Sequence, residues 1–285
     1  MKPFQQNQSL SELSTFGIGG YARYFTIVTS ISELQEILLF CSHQKIQFHV
    51  VGKGSNSLFD DRGFDGLVIL NKIDFCSIEG TKVDVGSGFS FSHLGRKTAK
   101  MGLSGLEFAS GIPASVGGAI FMNAGANGGE ASQTVTEVQF IDPAGELHLF
   151  KRKDLDFSYR YSNFQKMKGV IASAIFDLIV SSKARQTQLE IISYRMQTQP
   201  CKDKSCGCVF RNPPNAKAGA LIESCGLKGK KIGDAAISDL HANFIVNKGN
   251  AKAKDVLELA RFVKECVKQQ TGIELEMELR VIGNQ

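Results

Sequence analysis

The stretch from Gly102 to Glu130 constrains this chain more than any other. It carries eight of the 29 glycines in 285 residues, and only one charge, Glu107, precedes Glu130. Glycine at that density costs conformational entropy on folding, so it does not read as filler. A backbone that must approach another group closely, or adopt positive φ, accounts for it. A second glycine-punctuated loop, Gly52-Lys53-Gly54-Ser55-Asn56-Ser57, lies between the apolar runs Phe48 to Val51 and Leu67 to Leu70, which read as buried strands. Successive amides of such small residues can form a nest for a phosphate, and a tight turn explains the loop equally well. The loop has neither Walker nor Rossmann spacing. Two glycine-rich, nearly uncharged loops suggest two walls of a dinucleotide site; glycines at close backbone crossings are the alternative.

The rest of the chain alternates helix and strand signals. Ser32 with Gln35 reads as a capping box ahead of Leu34, Ile37, Leu38 and Cys41 at helical spacing. Val135 to Asp142 and Glu146 to Phe150 flank Pro143 to Gly145 as a hairpin, and Val170 to Leu178 is a further strand. The polar segment Ser181 to Pro200 reads as a helix and a boundary. Val256, Leu259, Ala260, Val263, Cys266 and Val267 form an amphipathic stripe that stops at Gly272. In the terminal run Leu275, Met277, Leu279 and Val281 alternate with Glu276, Glu278 and Arg280, as in a strand with one polar face. The class is mixed α and β, without an internal repeat.

The net charge of +5 is modest and its lysines and arginines are spread out, which argues against a nucleic-acid partner. A local cluster can still attract an anionic small molecule. Lys228, Lys230 and Lys231 form one such cluster, and a solvated turn is the competing reading. The amino-terminal sequence MKPFQQNQSLSEL has no apolar core of signal-peptide length, and no window approaches the roughly 18 apolar residues of a membrane helix. A cytoplasmic location without membrane attachment is expected. Seven cysteines at irregular spacing do not form a secreted disulfide framework. Cys201, Cys206 and Cys208 follow C-x4-C-x-C, which is not a standard zinc pattern, and no metal is expected.

The loops GKGSNSL and GLSGLEFASGIPASVGGAIFMNAGA resemble the FAD-binding loops of the UDP-N-acetylenolpyruvoylglucosamine reductase (MurB) family. The blocks TFGIGGYARYF, SYRYS, GCVFRNP, AGALIESCGLKGKKIG, HANFIVN and GIELEMELRVIG resemble its other motifs, in the family's order, from about Thr15 to Gly283. The resemblance implies an α+β fold: a two-part FAD-binding unit of the PCMH/vanillyl-alcohol-oxidase-like type plus a smaller α+β substrate-binding domain. By resemblance the first FAD-binding part is 1–71, the second is 72–198 with the terminal strand 271–285, and the substrate-binding domain is 199–270.

The implied chemistry is a relay in which NADPH, the co-substrate, reduces FAD and leaves. The reduced flavin then passes hydride to the methylene carbon of UDP-N-acetylglucosamine enolpyruvate, an acid protonates the carbon beside the carboxylate, and UDP-N-acetylmuramate forms for peptidoglycan synthesis. The extra charge on that carboxylate suits a fixed guanidinium. Arg160, in Ser158-Tyr159-Arg160-Tyr161-Ser162, matches the family's arginine, and Glu278 matches its glutamate. Without the resemblance, Arg160 reads as a surface residue and Glu278 as part of a solvated strand face. The block Gly207-Cys208-Val209-Phe210-Arg211-Asn212-Pro213 carries Cys208 where the family usually has a serine proton donor. A thiol of ordinary pKa near 8.5 is largely protonated at neutral pH and can fill that role.

The remaining residues carried over by resemblance fall into two sets. Gly52, Lys53, Gly54, Ser55, Asn56 and Ser57 would bind the cofactor from the first loop. Gly111, Ile112, Pro113, Ala114, Ser115, Gly117, Gly118, Asn123, Ala124 and Gly125 would bind it from the second, with Ala114 standing where the family often has glycine. Tyr159, Asn212, Lys228, Lys230, His241 and Asn243 would face the substrate, although a buried histidine satisfying backbone groups explains His241 as well. The short interval from Arg160 to Cys208 resembles the family's compact subtype, and a monomer or weak homo-oligomer is expected. Two rivals share parts of the pattern: an FAD oxidase of the same superfamily, which would share the glycine loops, and a non-catalytic sugar-nucleotide binding protein, which would need the basic turn alone.

Overall fold

In the computed structural model, which describes residues 3–283, the first helix, α1 (Ile31–Gln44), forms as its apolar spacing predicts: Leu34, Ile37, Leu38 and Cys41 are its buried residues. Its start differs from the predicted one. Ser30, extended at φ −136°, accepts the Glu33 amide while Glu33 reaches back to the Ser30 amide, so the capping box is Ser30–Glu33 and not Ser32–Gln35. Ser32 already lies in the first turn, where a side chain cannot cap its own helix. Met1, Lys2, Asn284 and Gln285, which the amino-terminal reading and the 271–285 segment include, lie outside the described residues.

The chain divides into two compact units. Unit one contains the segment ending at Gln5, Phe25–Lys53 and Gly66–Tyr194; unit two contains Gln6–Tyr24, Gly54–Asp65 and the chain from Arg195 onward. In unit one Phe48–Val51 pairs in parallel with the strand Phe64–Asn71. A five-stranded antiparallel sheet runs in the order Leu147–Lys151, Val135–Ile141, Val170–Asp177, Lys82–Gly86, Cys76–Glu79. The predicted hairpin is present, with Glu137 opposite Lys151 and Ile141 opposite Leu147. Helices α2 (Phe91–Lys100), α3 (Val116–Phe121) and α4 (Ala184–Thr198) follow. The core of unit one is apolar and aromatic: Phe140 stacks on Phe164 at 5.4 Å, and Phe91 meets Phe108 edge-on.

Unit two is built on a four-stranded antiparallel sheet ordered Lys204–Cys208, Phe244–Asn247, Ala235–Ile237, Lys231–Ile232. Helices α5 (Ala218–Ser224) and α6 (Ala253–Thr271) pack on its core. The stripe predicted for α6 is buried apart from the half-buried Cys266, and Gly272 ends the helix at φ 73°. A left-handed residue that lets its amide return to Lys268 favours glycine here.

The terminal alternation is only partly realised. Leu275 and Leu279 are buried, but Val281 is 43% exposed and Ile282 is the inward residue instead. The segment changes partners along its length. Glu278 donates its amide to Val209, whereas Arg280–Ile282 forms a parallel strand beside Ser57–Phe59. The change of neighbour at Leu279 breaks the period of two.

Candidate active site

In unit one the two glycine loops touch. A Cβ on Gly52 would overlap the Ser115 hydroxyl and lie 2.7 Å from Ser115 Cβ, so glycine there is fixed by the crossing. Ser115 caps α3 through the Gly118 amide. Gly117 and Gly125 are likewise tight: added Cβ atoms would lie 2.9 Å from Ser87 Cβ and 2.7 Å from the Gly129 carbonyl. Gly118 is different. It is exposed and would meet nothing closer than Ser115 Oγ at 3.3 Å, so no crossing demands it. The amides of Ala114, Val116 and Gly117 bond to Ile112, Phe89 and Ser87. What the loop offers a ligand is therefore a half-exposed, uncharged backbone surface around Gly111 to Gly118. No carboxylate within it would repel a diphosphate, so its chemistry suits a dinucleotide.

Asn123 and Arg160 bind this loop to the SYRYS segment. Asn123, fully buried at φ 42°, donates to the Ser158 carbonyl at 3.0 Å and accepts the Ser132 amide. The strands Phe157–Ser158 and Tyr161–Ser162 form a hairpin with Tyr159 and Arg160 at its tip. Ser162 Oγ donates to the Phe121 carbonyl at 2.7 Å. Arg160 holds φ 56°, a conformation costly for a residue with a Cβ. Its guanidinium donates to the Gly125 carbonyl at 2.9 Å and lies 4.9 Å from the centre of the Tyr159 ring. Gln165 holds the Arg160 carbonyl at 3.1 Å. An arginine that pattern alone assigns to the surface is thus anchored against the second glycine loop.

In unit two Gly54 to Ser57 are held by the opening segment of the chain. The Gly54 carbonyl accepts the Thr15 amide, and the Ser57 carbonyl accepts Ser14 Oγ. Asn56 donates to the Glu278 carbonyl at 3.2 Å while its own carbonyl accepts the Arg280 amide. This part of the first loop therefore also fixes the strand that carries Glu278. Cys208 ends the strand Lys204–Cys208, and Gly207 at φ 80° accompanies a register shift between Ser205 and Cys208. Phe210 pairs with Met277, the Arg211 amide donates to Glu276, and the Glu278 amide donates to Val209. These bonds join the segment that follows Cys208 to the segment that carries Glu278. Burial pushes the Cys206 thiol far up, and the charges of Cys208 and Glu278 act in the same direction.

The substrate-side residues separate into groups. Lys228 pairs with Glu223 at 2.6 Å and lies beside His241, whereas Lys230 sits 5.0 Å from the Phe262 ring of α6. Burial pulls the His241 pKa down, and the charges of Lys228 and Arg195 reinforce that direction. His241 Nδ1 accepts the Asn243 amide. Asn212 accepts the Ala218 amide at the start of α5. Asn243 is 3% exposed and uses both ends of its carboxamide on Phe210, so it does not line a cleft. Arg195 is the residue that sequence reasoning missed. Burial lowers its pKa while Cys201 and Cys208 oppose that, so Cys208 lies within electrostatic range of this guanidinium. Nothing in the polar run Ser181 to Pro200 set it apart.

Among the described residues, the one group of three potential metal ligands is Asp142, Glu146 and His148. Asp142 there accepts the Ala144 and Glu146 amides and meets His148 at 2.9 Å, which closes the hairpin turn. No helix among the described residues is long and apolar enough to cross a membrane.

Comparison with known proteins agrees with this geometry. Residues 22–151 match the FAD binding domain family, and residues 199–282 match the family described as UDP-N-acetylenolpyruvoylglucosamine reductase, C-terminal domain. A protein of that reductase name from Protochlamydia amoebophila is 57% identical over 98% of this chain and 94% of its own length. One from Chlamydia muridarum is 47% identical over the same shares. The crystal structure of UDP-N-acetylenolpyruvylglucosamine reductase (MurB) from Thermus caldophilus superposes with a TM-score of 0.84 at 36% identity, covering 98% of this chain and 99% of that one.

Proposed function

The chain belongs to the MurB family of UDP-N-acetylenolpyruvoylglucosamine reductases, and from that premise we propose that it reduces UDP-N-acetylglucosamine enolpyruvate to UDP-N-acetylmuramate, with FAD as cofactor and NADPH as electron donor, in cytoplasmic peptidoglycan precursor synthesis. FAD, when bound against the Gly52 and Gly111 to Gly125 loops, supplies the hydride that the methylene carbon receives. The functional division is 1–71 and 72–198 with 271–285 for the cofactor, and 199–270 for the sugar nucleotide.

The chain's own residues manage charge and the proton. Hydride arrival at the methylene carbon leaves an enolate whose charge spreads onto the substrate carboxylate. Arg160 grips that carboxylate with its planar guanidinium, and the fixed hairpin tip means little reorganisation as charge develops. Glu278 polarises the same carboxylate. Cys208 delivers the proton to the adjacent carbon, and its thiol is regenerated from solvent. Lys228 and Arg195 supply positive charge for the diphosphate, the neutral His241 is available to it as a hydrogen-bonding ring, and Tyr159 and Asn212 contact the sugar nucleotide. The observation that most supports this reading is the antiparallel pairing of Phe210 with Met277, which joins the segment of Cys208 to the segment of Glu278.

The test is one cuvette. Anaerobic NADPH is expected to bleach the bound flavin, and the enolpyruvyl sugar nucleotide is expected to restore its colour. A protein that takes up no FAD removes the reading altogether. Bleaching without recovery removes the substrate assignment.

A further inference from the structure

We propose that Asn243 is a positioning residue for the reaction: its carboxamide acts as a surrogate strand that fixes the Cys208 to Phe210 segment, and thereby Cys208, against the strand that carries Glu278. The proposal rests on the assignment of the catalytic trio above and adds a residue that touches neither substrate nor cofactor.

The sheet holds this segment only at its first residue, Cys208. Regular pairing between Lys204–Cys208 and Phe244–Asn247 is interrupted by the shift at Gly207 and ends at Cys208 opposite Phe244. Beyond that point one more backbone bond forms, from the Val209 amide to the Asn243 carbonyl at 2.8 Å. The side chain of Asn243 then takes over. Its Oδ1 accepts the Phe210 amide at 3.0 Å and its Nδ2 donates to the Phe210 carbonyl at 2.8 Å, as a neighbouring peptide would. Asn243 is itself held by the bond from its amide to His241 Nδ1 at 3.2 Å. On the other side the Glu278 amide meets the Val209 carbonyl at 2.8 Å, and Arg211 meets Glu276 through both backbone and a 3.0 Å ion pair. The donor segment is therefore clamped between a carboxamide and the strand of Glu278. Only an amide side chain offers both a donor and an acceptor at the two Phe210 atoms, and asparagine has the required reach.

The experiment compares Asn243→Ala and the isosteric Asn243→Asp, assayed at a pH high enough to ionise the carboxyl so that it cannot donate to Phe210, with the wild-type holoenzyme. Bound FAD and unaltered bleaching by NADPH identify folded protein. In both variants reoxidation by the enolpyruvyl sugar nucleotide is expected to slow roughly tenfold or more, with little change in the substrate concentration needed for half-saturation, because displaced reacting groups lose rate before affinity. The second readout is iodoacetamide alkylation of Cys208, followed by peptide mass spectrometry and referred to the exposed Cys201. It is expected to change at least about threefold, since the rate follows the thiol's access and ionisation. Unchanged Cys208 alkylation in folded Asn243→Asp overturns the proposal. Altered alkylation with normal reoxidation supports the positioning role and removes Cys208 as proton donor, so the two readings fail separately. If Asn243→Ala does not fold, Asn243→Asp decides.

Discussion

Arg160, Cys208 and His241 each show how surroundings assign a task that a residue type leaves open. The left-handed backbone of Arg160 is tolerated because Asn123, Ser162 and Gln165 hold its hairpin from three sides. Cys208 needs only a proton and a fixed place. Cys208→Ala is expected to leave flavin reduction intact and slow reoxidation by the sugar nucleotide about 10²–10⁴-fold, the usual worth of a general acid; rapid-mixing traces with an undiminished second phase would remove it from the mechanism. His241 makes a stability prediction. Burial favours its neutral ring, so its folded pKa lies below the ordinary value of about 6.5. The unfolded chain then takes up the proton first as the pH falls, and stability is lost as acidity increases through that value. The drop in melting temperature between about pH 7.5 and 5.5 should be smaller in His241→Gln than in the wild type. Parallel curves would show that the ring does not contribute.

At the scale of elements, the crossing of the two glycine loops is the most sensitive junction. Gly52→Ala places a methyl group on Ser115, and overpacking of this kind costs about 1–3 kcal/mol. Lower thermal stability and weaker FAD retention are expected, with recovery in Gly52→Ala/Ser115→Gly, because glycine at a helix N-cap costs only a few tenths of a kcal/mol. Failure of the second change to restore either property would mean that the loops do not meet at that contact. The same scale separates what periodicity could show from what it could not. Helices α1 and α6 were legible because one face of each is buried along its whole length. The terminal segment was not, because it exchanges Val209 for Ser57–Phe59 as its neighbour within a few residues. The capping box was displaced by two residues for a local reason: Ser30 and Ser32 both stand at the start of α1, and only the extended Ser30, just ahead of the first turn, can cap it.

At the scale of the whole molecule, a ligand that binds only the folded state stabilises it by mass action. FAD at about 100 times its dissociation constant should add about 2.7 kcal/mol. Stripping the flavin is expected to lower the melting temperature, and titrating FAD back should raise it progressively with concentration. A melting temperature indifferent to FAD would contradict binding to the folded chain. Residue order alone carries the mixed α and β class, the two glycine loops, the stripes of α1 and α6 and the ordered blocks that mark the family. Each is written in local periodicity, in residue spacing or in a short motif. Tertiary structure alone decided which glycines are forced by crossings and which leave open surface. It also decided that Lys228 acts on His241, that Arg195 and Cys208 influence each other electrostatically, and that Asn243 serves Phe210. Those facts depend on residues far apart in the chain meeting through backbone hydrogen bonds and burial, and neither composition nor spacing records which groups will meet.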